Sequence, residues 1–198
     1  MYWFDYEDRS RNRELLDYAI SSIVLSFVFS YSYMIHSRLD LMPAVIIAVI
    51  SSFTLHELAH RSIARANGIY ARYRAWYIGL LLALLITIAT QGEFAFAAPG
   101  AVVTYTTWYS PEVEASIAQA GPLTNIIMGL VCLALSLLTQ GIANQYLRIV
   151  GGINALIALF NLLPIPPLDG YKVFRVRIVR WAISFSLSLV LWMIYKFL

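Results

Sequence analysis

The residues best suited to chemistry in this 198-residue chain lie in the stretch 55–60, which reads Leu-His-Glu-Leu-Ala-His. If this stretch is helical, His56 and His60 lie one turn apart on the same face, where their ring nitrogens can reach one metal ion. Glu57 then lies beside that ion. A His-Glu-x-x-His spacing of this kind indicates the metal site of a zinc hydrolase.

The setting of this motif indicates a membrane. Residues 43–54 carry no charge and run directly into the motif. The whole chain is 60% hydrophobic and 13% charged, whereas soluble domains have about 45–50% apolar and about 25% charged residues. We therefore predict an integral membrane protein in contact with the lipid bilayer. No polar stretch is long enough for a separate soluble domain, so residues 1–198 are expected to form one domain.

Six apolar segments are predicted to enter the membrane as helices, because about 20 residues are needed for one crossing. They are residues 15–36, 43–67, 75–92, 122–139, 149–168 and 179–195. Pro122 is expected to begin the fourth helix, and residues 141–148 are expected to form a polar turn. The predicted fold class is an all-α polytopic membrane protein with about six transmembrane helices.

An extended or re-entrant hairpin is predicted after the third helix. Residues 94–111 are rich in β-branched and aromatic side chains and are interrupted by Pro99 and Gly100, which favours strand over helix. Glu93, at the turn before this segment, is expected to be a solvated loop residue. We hypothesise that residues 101–108 offer a strand edge to an unwound substrate; a buried hairpin that closes the cavity is the alternative.

Charge placement predicts the orientation of the chain. Eleven of its fourteen lysines and arginines fall in three clusters, within residues 9–13, 61–74 and 172–180. By the positive-inside rule these clusters are cytoplasmic, which places the N-terminus in the cytoplasm of a multi-pass protein of the cell membrane. His56, His60 and Asp169 then all lie nearer the cytoplasmic face and can meet. Because this topology accounts for the basic residues, no nucleic-acid partner is expected.

Asp169 is the candidate for a third metal ligand. Three prolines precede it and end the fifth helix, so it is expected on non-helical backbone, which membrane depth tolerates only inside protein or beside a watery cavity. Two histidines and one carboxylate form a catalytic zinc set that keeps a position open for water. Glu57 could then take a proton from that water and return it to a leaving amine, which predicts peptide hydrolysis.

Plainer interpretations of these residues stay open. The two histidines and Glu57 could cap or pack a helix near the membrane interface, and Asp169 could be the N-cap of a helix. Asn125 is expected to serve helix packing. Cys132, the only cysteine, is expected to be a small packing residue in its apolar surroundings.

Two motifs together resemble the site-2 protease family of intramembrane zinc metalloproteases. The family's HExxH motif is matched by residues 56–60, and its N-x-x-P-x-x-P-L-D-G motif by residues 161–170 at the same spacing. Residues 120–125, Ala-Gly-Pro-Leu-Thr-Asn, are similar to the family's helix start between the two motifs. The resemblance covers about residues 43–180, which we take as the catalytic core.

This resemblance implies an activity and a set of roles. It implies one Zn²⁺ bound by His56, His60 and Asp169, with Glu57 as the base. It implies substrates that are transmembrane segments of other proteins. Asn161 matches a family position that helps hold the substrate or the developing oxyanion, although packing is an alternative role.

Two other classes of function are open at this point. A metal transporter would need several intramembrane acidic or histidine sites along a path, and the predicted spans contain few beyond this group. A catalytically inactive scaffold that grips transmembrane helices could share the fold, but it would have no need for Glu57.

Overall fold

The computed structural model describes residues 11–94, 99–105 and 110–198. Its elements in chain order are α1 (Arg11–Ile35), α2 (Met42–Ala66), β1 (Tyr70–Ala75), α3 (Tyr77–Ala89), β2 (Gly100–Tyr105), α4 (Pro111–Ser136), α5 (Gly141–Asn161), α6 (Asp169–Val176) and α7 (Ile178–Phe197). Within these residues, α1, α2, α4, α5 and α7 are long and apolar enough to span a membrane. The all-α polytopic class is confirmed.

The third predicted span is shorter than expected. α3 has 13 residues, or about 20 Å at about 1.5 Å per residue, which falls short of a hydrocarbon core of about 30 Å. The helix ends before Gln91 and Gly92, whose positive φ angles of 53° and 80° turn the chain out of the helical conformation. The described part of the chain therefore has five candidate spans rather than six, and α3 is too short to cross on its own.

The extended segment after α3 is confirmed where it is described. β2 pairs antiparallel with β1, with Tyr70 opposite Tyr105 and Ala75 opposite Gly100. Residues 95–98 and 106–109 of the predicted hairpin lie outside the described residues. β1 was not predicted, because its charged sequence lacks the apolar run of a buried strand. The edge of β1 that faces away from β2 is covered by α1. There the Glu14 carboxylate accepts a hydrogen bond from the Tyr73 N–H at 3.1 Å.

The fourth helix begins earlier than predicted. α4 starts at Pro111, and the Ser110 hydroxyl caps it by accepting a hydrogen bond from the Val113 N–H at 3.2 Å. The prediction that Pro122 begins the helix is wrong, because Pro122 lies inside it. Proline has no N–H to donate to the carbonyl four residues before it. Helices packed in a membrane tolerate this loss when neighbouring groups satisfy the freed carbonyl.

The fifth helix also begins and ends earlier in the sequence than predicted. α5 begins at Gly141, so the predicted polar turn at 141–148 is wrong and forms its first two turns. Asn144 helps fix this start, because its amide donates to the Thr139 carbonyl at 3.2 Å in the preceding loop. The helix ends at Asn161 rather than 168, where the prolines that follow cannot continue it. Asp169 is the first residue of α6, so the expectation of non-helical backbone there is also wrong.

Packing centres on α2, α4 and α5, which contact one another more extensively than the other helices do. α1 lies against α2 and the sheet, and α7 covers α4, α5 and α6. Where α4, α5 and α7 meet, glycines admit a large side chain: the Tyr195 hydroxyl donates to the Gly129 carbonyl at 2.7 Å, and Gly151 lies against the same ring. Cys132 is buried beside them, in the packing role that its sequence context predicts.

We expect Gly170 to be indispensable to the docking of α6. A Cβ at this position would overlap the Leu162 carbonyl at the end of α5, and backbone cannot move aside as a flexible side chain can. Overpacking of this kind typically costs about 1–3 kcal/mol. Gly170→Ala should therefore lower the thermal unfolding midpoint, measured by circular dichroism of the protein in detergent.

Gly152→Ala is the matched control. A Cβ there would lie 3.6 Å from the nearest Tyr195 atom, an ordinary van der Waals contact. Its unfolding midpoint should stay level or rise by a few degrees, because alanine favours a helix interior by about 1 kcal/mol over glycine. Equal midpoints for the two variants would contradict the packing described for Gly170.

Candidate metal centre

Three predicted ligands from two helices meet in the interior. His56 and His60 lie on the buried face of α2, and Asp169 reaches them from the first turn of α6. The Asp169 Oδ2 atom lies 3.3 Å from His56 Nε2 and 3.0 Å from His60 Nε2. One ligand atom from each residue lies within 4.8 Å of the other two, so the three could hold a metal ion.

A glycine leaves room for an ion at this point. A Cβ added to Gly121 of α4 would lie 2.5 Å from the Nε2 atoms of both His56 and His60. Zinc–nitrogen bonds are about 2.0–2.1 Å long, so the missing side chain leaves free much of the space that an ion would fill. Two imidazoles and a carboxylate also match the ligand set of catalytic zinc. The residues present therefore fit a zinc ion.

Glu57 lies next to this cluster with an unpaired oxygen. Its side chain is 5% exposed, and its Oε2 atom is buried without a hydrogen-bond partner among the described residues. An unpaired buried carboxylate oxygen is costly, and native structures keep few such atoms without a reason. A water molecule that reacts at the site would give this oxygen its partner.

The two imidazole rings are held by their other nitrogens. His60 Nδ1 lies 2.6 Å from the Ile117 carbonyl of α4. A carbonyl can only accept, so Nδ1 carries a hydrogen. When the ring is neutral, as a metal ligand must be, its lone pair therefore lies on Nε2. His56 Nδ1 lies 2.7 Å from the Asn125 Oδ1 atom, also on α4. Partners of this kind are usual for histidines that bind metals, because they fix both the tautomer and the ring orientation.

Asp169 is the member of the group that lies outside the membrane-spanning helices. Burial acts to raise the pKa of its carboxyl, but the charges of His60 and His56 and their hydrogen bonds outweigh burial and hold the pKa well below its usual value. The carboxyl is therefore ionised, as a metal ligand must be.

In the described residues, Asn161 is hydrogen-bonded within its own helix, whereas Asn125 is hydrogen-bonded to His56. Asn161 is the last residue of α5, and its amide donates to the Ile157 carbonyl at 2.9 Å; in the described part of the chain it is not hydrogen-bonded to the histidines or to Asp169. Its predicted role stays a prediction. Asn125 was expected to serve packing, but it contacts His56 directly. A signal was present in the sequence, because an amide inside an apolar helix must find a partner.

Three further acidic residues differ in their surroundings. Glu93 is exposed in the turn after α3, as predicted for a solvated loop residue. Glu14 and Asp17 of α1 are buried: Glu14 pairs with Arg61 of α2 at 3.4 Å, and the Tyr77 hydroxyl of α3 donates to Asp17. The first contact attaches α1 to the helix that carries both histidines, and the second attaches α1 to α3.

Comparison with known proteins gives a family. The family model described as Peptidase family M50 matches residues 44–148, which include both histidines, Glu57 and Gly121. Asp169 lies beyond the matched residues. No solved structure gives a significant match.

Three relatives bear the name "Putative zinc metalloprotease". MJ0611 of Methanocaldococcus jannaschii is 39% identical over 189 residues, which cover 94% of this chain and 96% of that protein. YwhC of Bacillus subtilis is 30% identical over 155 residues, covering 68% of this chain and 69% of that protein. Rip3 of Mycobacterium tuberculosis is 26% identical over 178 residues, covering 82% of this chain but 40% of that protein.

The family match covers more than half of the chain, and the archaeal similarity extends over nearly all of it. The apolar helices agree with a multi-pass membrane protein, and the ligand cluster agrees with zinc as the metal. This chain therefore belongs to peptidase family M50, the site-2 protease family of zinc metalloproteases.

Proposed function

We propose that this chain is an intramembrane zinc endopeptidase that hydrolyses peptide bonds within or near transmembrane segments of other membrane proteins. The observation that carries the proposal is the convergence of His56, His60 and Asp169 with the unpaired carboxylate of Glu57 beside them. The two histidines lie in the second half of a 25-residue apolar helix. A substrate that reaches them must therefore enter the membrane region of the protein.

Each residue of the site has a proposed task. His56, His60 and Asp169 hold zinc, which when bound polarises the scissile carbonyl and lowers the pKa of a coordinated water to about 7. The unpaired Glu57 oxygen accepts the proton of the attacking water, and the carboxyl then returns it to the leaving amine. Asn161, at the end of α5, binds the substrate or donates its amide N–H to the developing oxyanion.

The location of the site supports a cytoplasmic orientation. The basic residues Arg61 and Arg65 follow the histidines on α2, and Lys172 and Arg175 follow Asp169 on α6. Basic residues accumulate on the cytoplasmic side of membrane helices. We therefore propose that the catalytic core, about residues 43–180 of a single domain, opens toward the cytoplasm and that the N-terminus lies there too.

The direction of the hydrogen bonds in the sheet determines which backbone groups of β2 are available to a substrate. The Trp76 N–H donates to the Pro99 carbonyl at 2.8 Å, which makes these residues a hydrogen-bonded pair across the strands. Such pairs alternate along an antiparallel ladder. By the observed register, Val103 therefore bonds to β1, whereas Val102 and Thr104 direct their N–H and C=O groups away from it.

The outer edge of β2 is proposed to pair with the substrate. In the described residues the sheet has two strands, so no third strand occupies this edge. A transmembrane helix hides its peptide bonds in internal hydrogen bonds and must unwind before it can be cleaved. The outward groups of Val102 and Thr104 can hold the unwound segment as an added strand.

Glu57→Gln is the test of the proposed chemistry. The amide cannot take a proton from water, so cleavage of a model transmembrane substrate should fall by at least about 100-fold, the low end of what general acid–base catalysis contributes. Zinc content, measured by mass spectrometry of the purified protein, should stay near one per chain because the three ligands are intact.

The exposed Glu93 provides the control for this experiment. Glu93→Gln makes the same substitution in the turn after α3 and should leave both cleavage and zinc content unchanged. An unaltered chain without zinc and without cleavage would refute the enzyme proposal. Full cleavage by Glu57→Gln would refute the assignment of the base.

Gly121→Ala should exclude the metal. Its methyl group would lie 2.5 Å from both Nε2 atoms, about where a zinc ion bonded at about 2.0–2.1 Å would sit. Zinc content and cleavage should both be lost. The fold should persist because alanine favours a helix by about 1 kcal/mol over glycine, and circular dichroism in detergent checks this. Normal zinc content would contradict the position assigned to the ion.

Thr104→Pro tests the strand edge. It removes an outward N–H and leaves the ladder with β1 intact, so cleavage should fall about 2- to 10-fold, which corresponds to a hydrogen bond worth about 0.5–1.5 kcal/mol. Zinc content should not change. Thr104→Val, which keeps the N–H, is the control. Val103→Pro removes an N–H that bonds to β1 and should therefore destabilise the sheet. Equal cleavage by Thr104→Pro and Thr104→Val would refute the edge hypothesis.

A further inference from the structure

A row of buried hydrogen bonds leads away from His56 across two helices. His56 Nδ1 lies 2.7 Å from Asn125 Oδ1 on α4. The Asn125 amide nitrogen lies 3.1 Å from Asn154 Oδ1 on α5, and the Asn154 amide nitrogen lies 2.9 Å from the Val150 carbonyl. Both asparagines are 0% exposed, so water cannot replace any of these partners.

The Val150 carbonyl, at the far end of the row, fixes the orientation of both asparagine amides. The Val150 carbonyl can only accept, so Asn154 must turn its nitrogen toward it and its oxygen toward Asn125. Asn125 must then present its nitrogen to Asn154, and the same nitrogen also lies 3.4 Å from the Ser52 carbonyl. The oxygen of Asn125 is left to face His56, and His56 Nδ1 must donate to it.

The two metal-binding rings differ in what holds them. His60 Nδ1 faces a backbone carbonyl, which accepts hydrogen bonds in every orientation it can take. His56 Nδ1 faces an amide, which can present either an oxygen or an NH₂ group. If the Asn125 amide were reversed, its NH₂ would favour a lone pair on Nδ1 and a hydrogen on Nε2. That tautomer of His56 cannot bind a metal through Nε2.

We propose that Asn154 is a positioning residue of the metal site, which acts on His56 through Asn125 and touches neither the ion nor the substrate. It keeps the Asn125 amide in the orientation that leaves the lone pair of His56 Nε2 available. This inference rests on the proposed zinc site. It adds a residue on α5, outside both sequence motifs, to the set that determines metal affinity.

Zinc affinity of the full-length protein tests the inference directly. Asn154→Leu keeps the approximate shape of the side chain and removes its polar atoms. Chelator competition should show zinc binding weakened about tenfold, at the low end of the about 10- to 100-fold loss that follows removal of an outer partner of a metal ligand. The absorption spectrum of the Co²⁺-loaded variant should also change, because the geometry at His56 is less well fixed.

Two variants separate positioning from packing. Asn154→Asp, protonated because its site is fully buried, keeps an oxygen for the Asn125 amide and an O–H for the Val150 carbonyl. It should retain zinc affinity within about threefold of the unaltered chain, well inside the loss expected for a missing outer partner. Ser184→Ala removes another buried hydrogen bond of α4, the 3.1 Å contact with Gln119, and should leave zinc affinity unchanged. Thermal unfolding of the zinc-free variants shows whether affinity merely follows stability.

The outcomes distinguish this inference from the proposed function. Normal zinc affinity in Asn154→Leu, in a chain that binds zinc and cleaves substrate, overturns the role of Asn154 alone. Equal losses in Asn154→Leu and Asn154→Asp overturn it as well, because they indicate packing. Absence of zinc from the unaltered chain overturns the proposed function and this inference together. If Asn154→Leu does not fold, Asn154→Ala replaces it with the same expected loss.

Discussion

Polar groups in the membrane interior cannot rely on water, and this constraint governs the arrangement around α2. An uncompensated ionised group in an apolar medium is so costly that it must be paired or coordinate a metal. The helix nevertheless buries two histidines and a glutamate within five residues. The carboxylate of Asp169, the carbonyl of Ile117 and the amide of Asn125 supply partners for the two histidines. The Glu57 Oε2 atom has none among the described residues.

Much of that support comes from α4, a helix that carries no ligand. Three of its features face the histidines within nine residues: the Ile117 carbonyl, the missing side chain of Gly121 and the Asn125 amide. Pro122 lies among them and interrupts the internal hydrogen bonding of the helix. Ligands on one helix are thus oriented by backbone and amide groups of the next. The geometry of the candidate ligands depends on helix packing as much as on the motif itself.

How far the sequence predicts this arrangement depends on whether a signal is local. His56 and His60 follow from helical periodicity, and their meeting with Asp169 follows from the distribution of basic residues, because charge decides which helix ends share a membrane face. The sequence does not predict that Pro122 lies inside a helix, because a proline after a glycine usually indicates a helix start. In the structure the helix begins 11 residues earlier, where Ser110 caps it. The contact between Asn125 and His56 joins residues 69 positions apart. An amide in an apolar helix signals that a partner is needed, but nothing in the local sequence identifies His56 as that partner.

Gly121 has a consequence for any chain that shares this backbone. Its role is to leave space beside the Nε2 atoms of His56 and His60, because it has no side chain to fill that space. A related chain could keep both histidines and the glutamate and still be unable to load an ion if a side chain stood at this place. On this backbone, the size of the residue 61 positions after the second histidine therefore determines whether the two nitrogens have room for an ion.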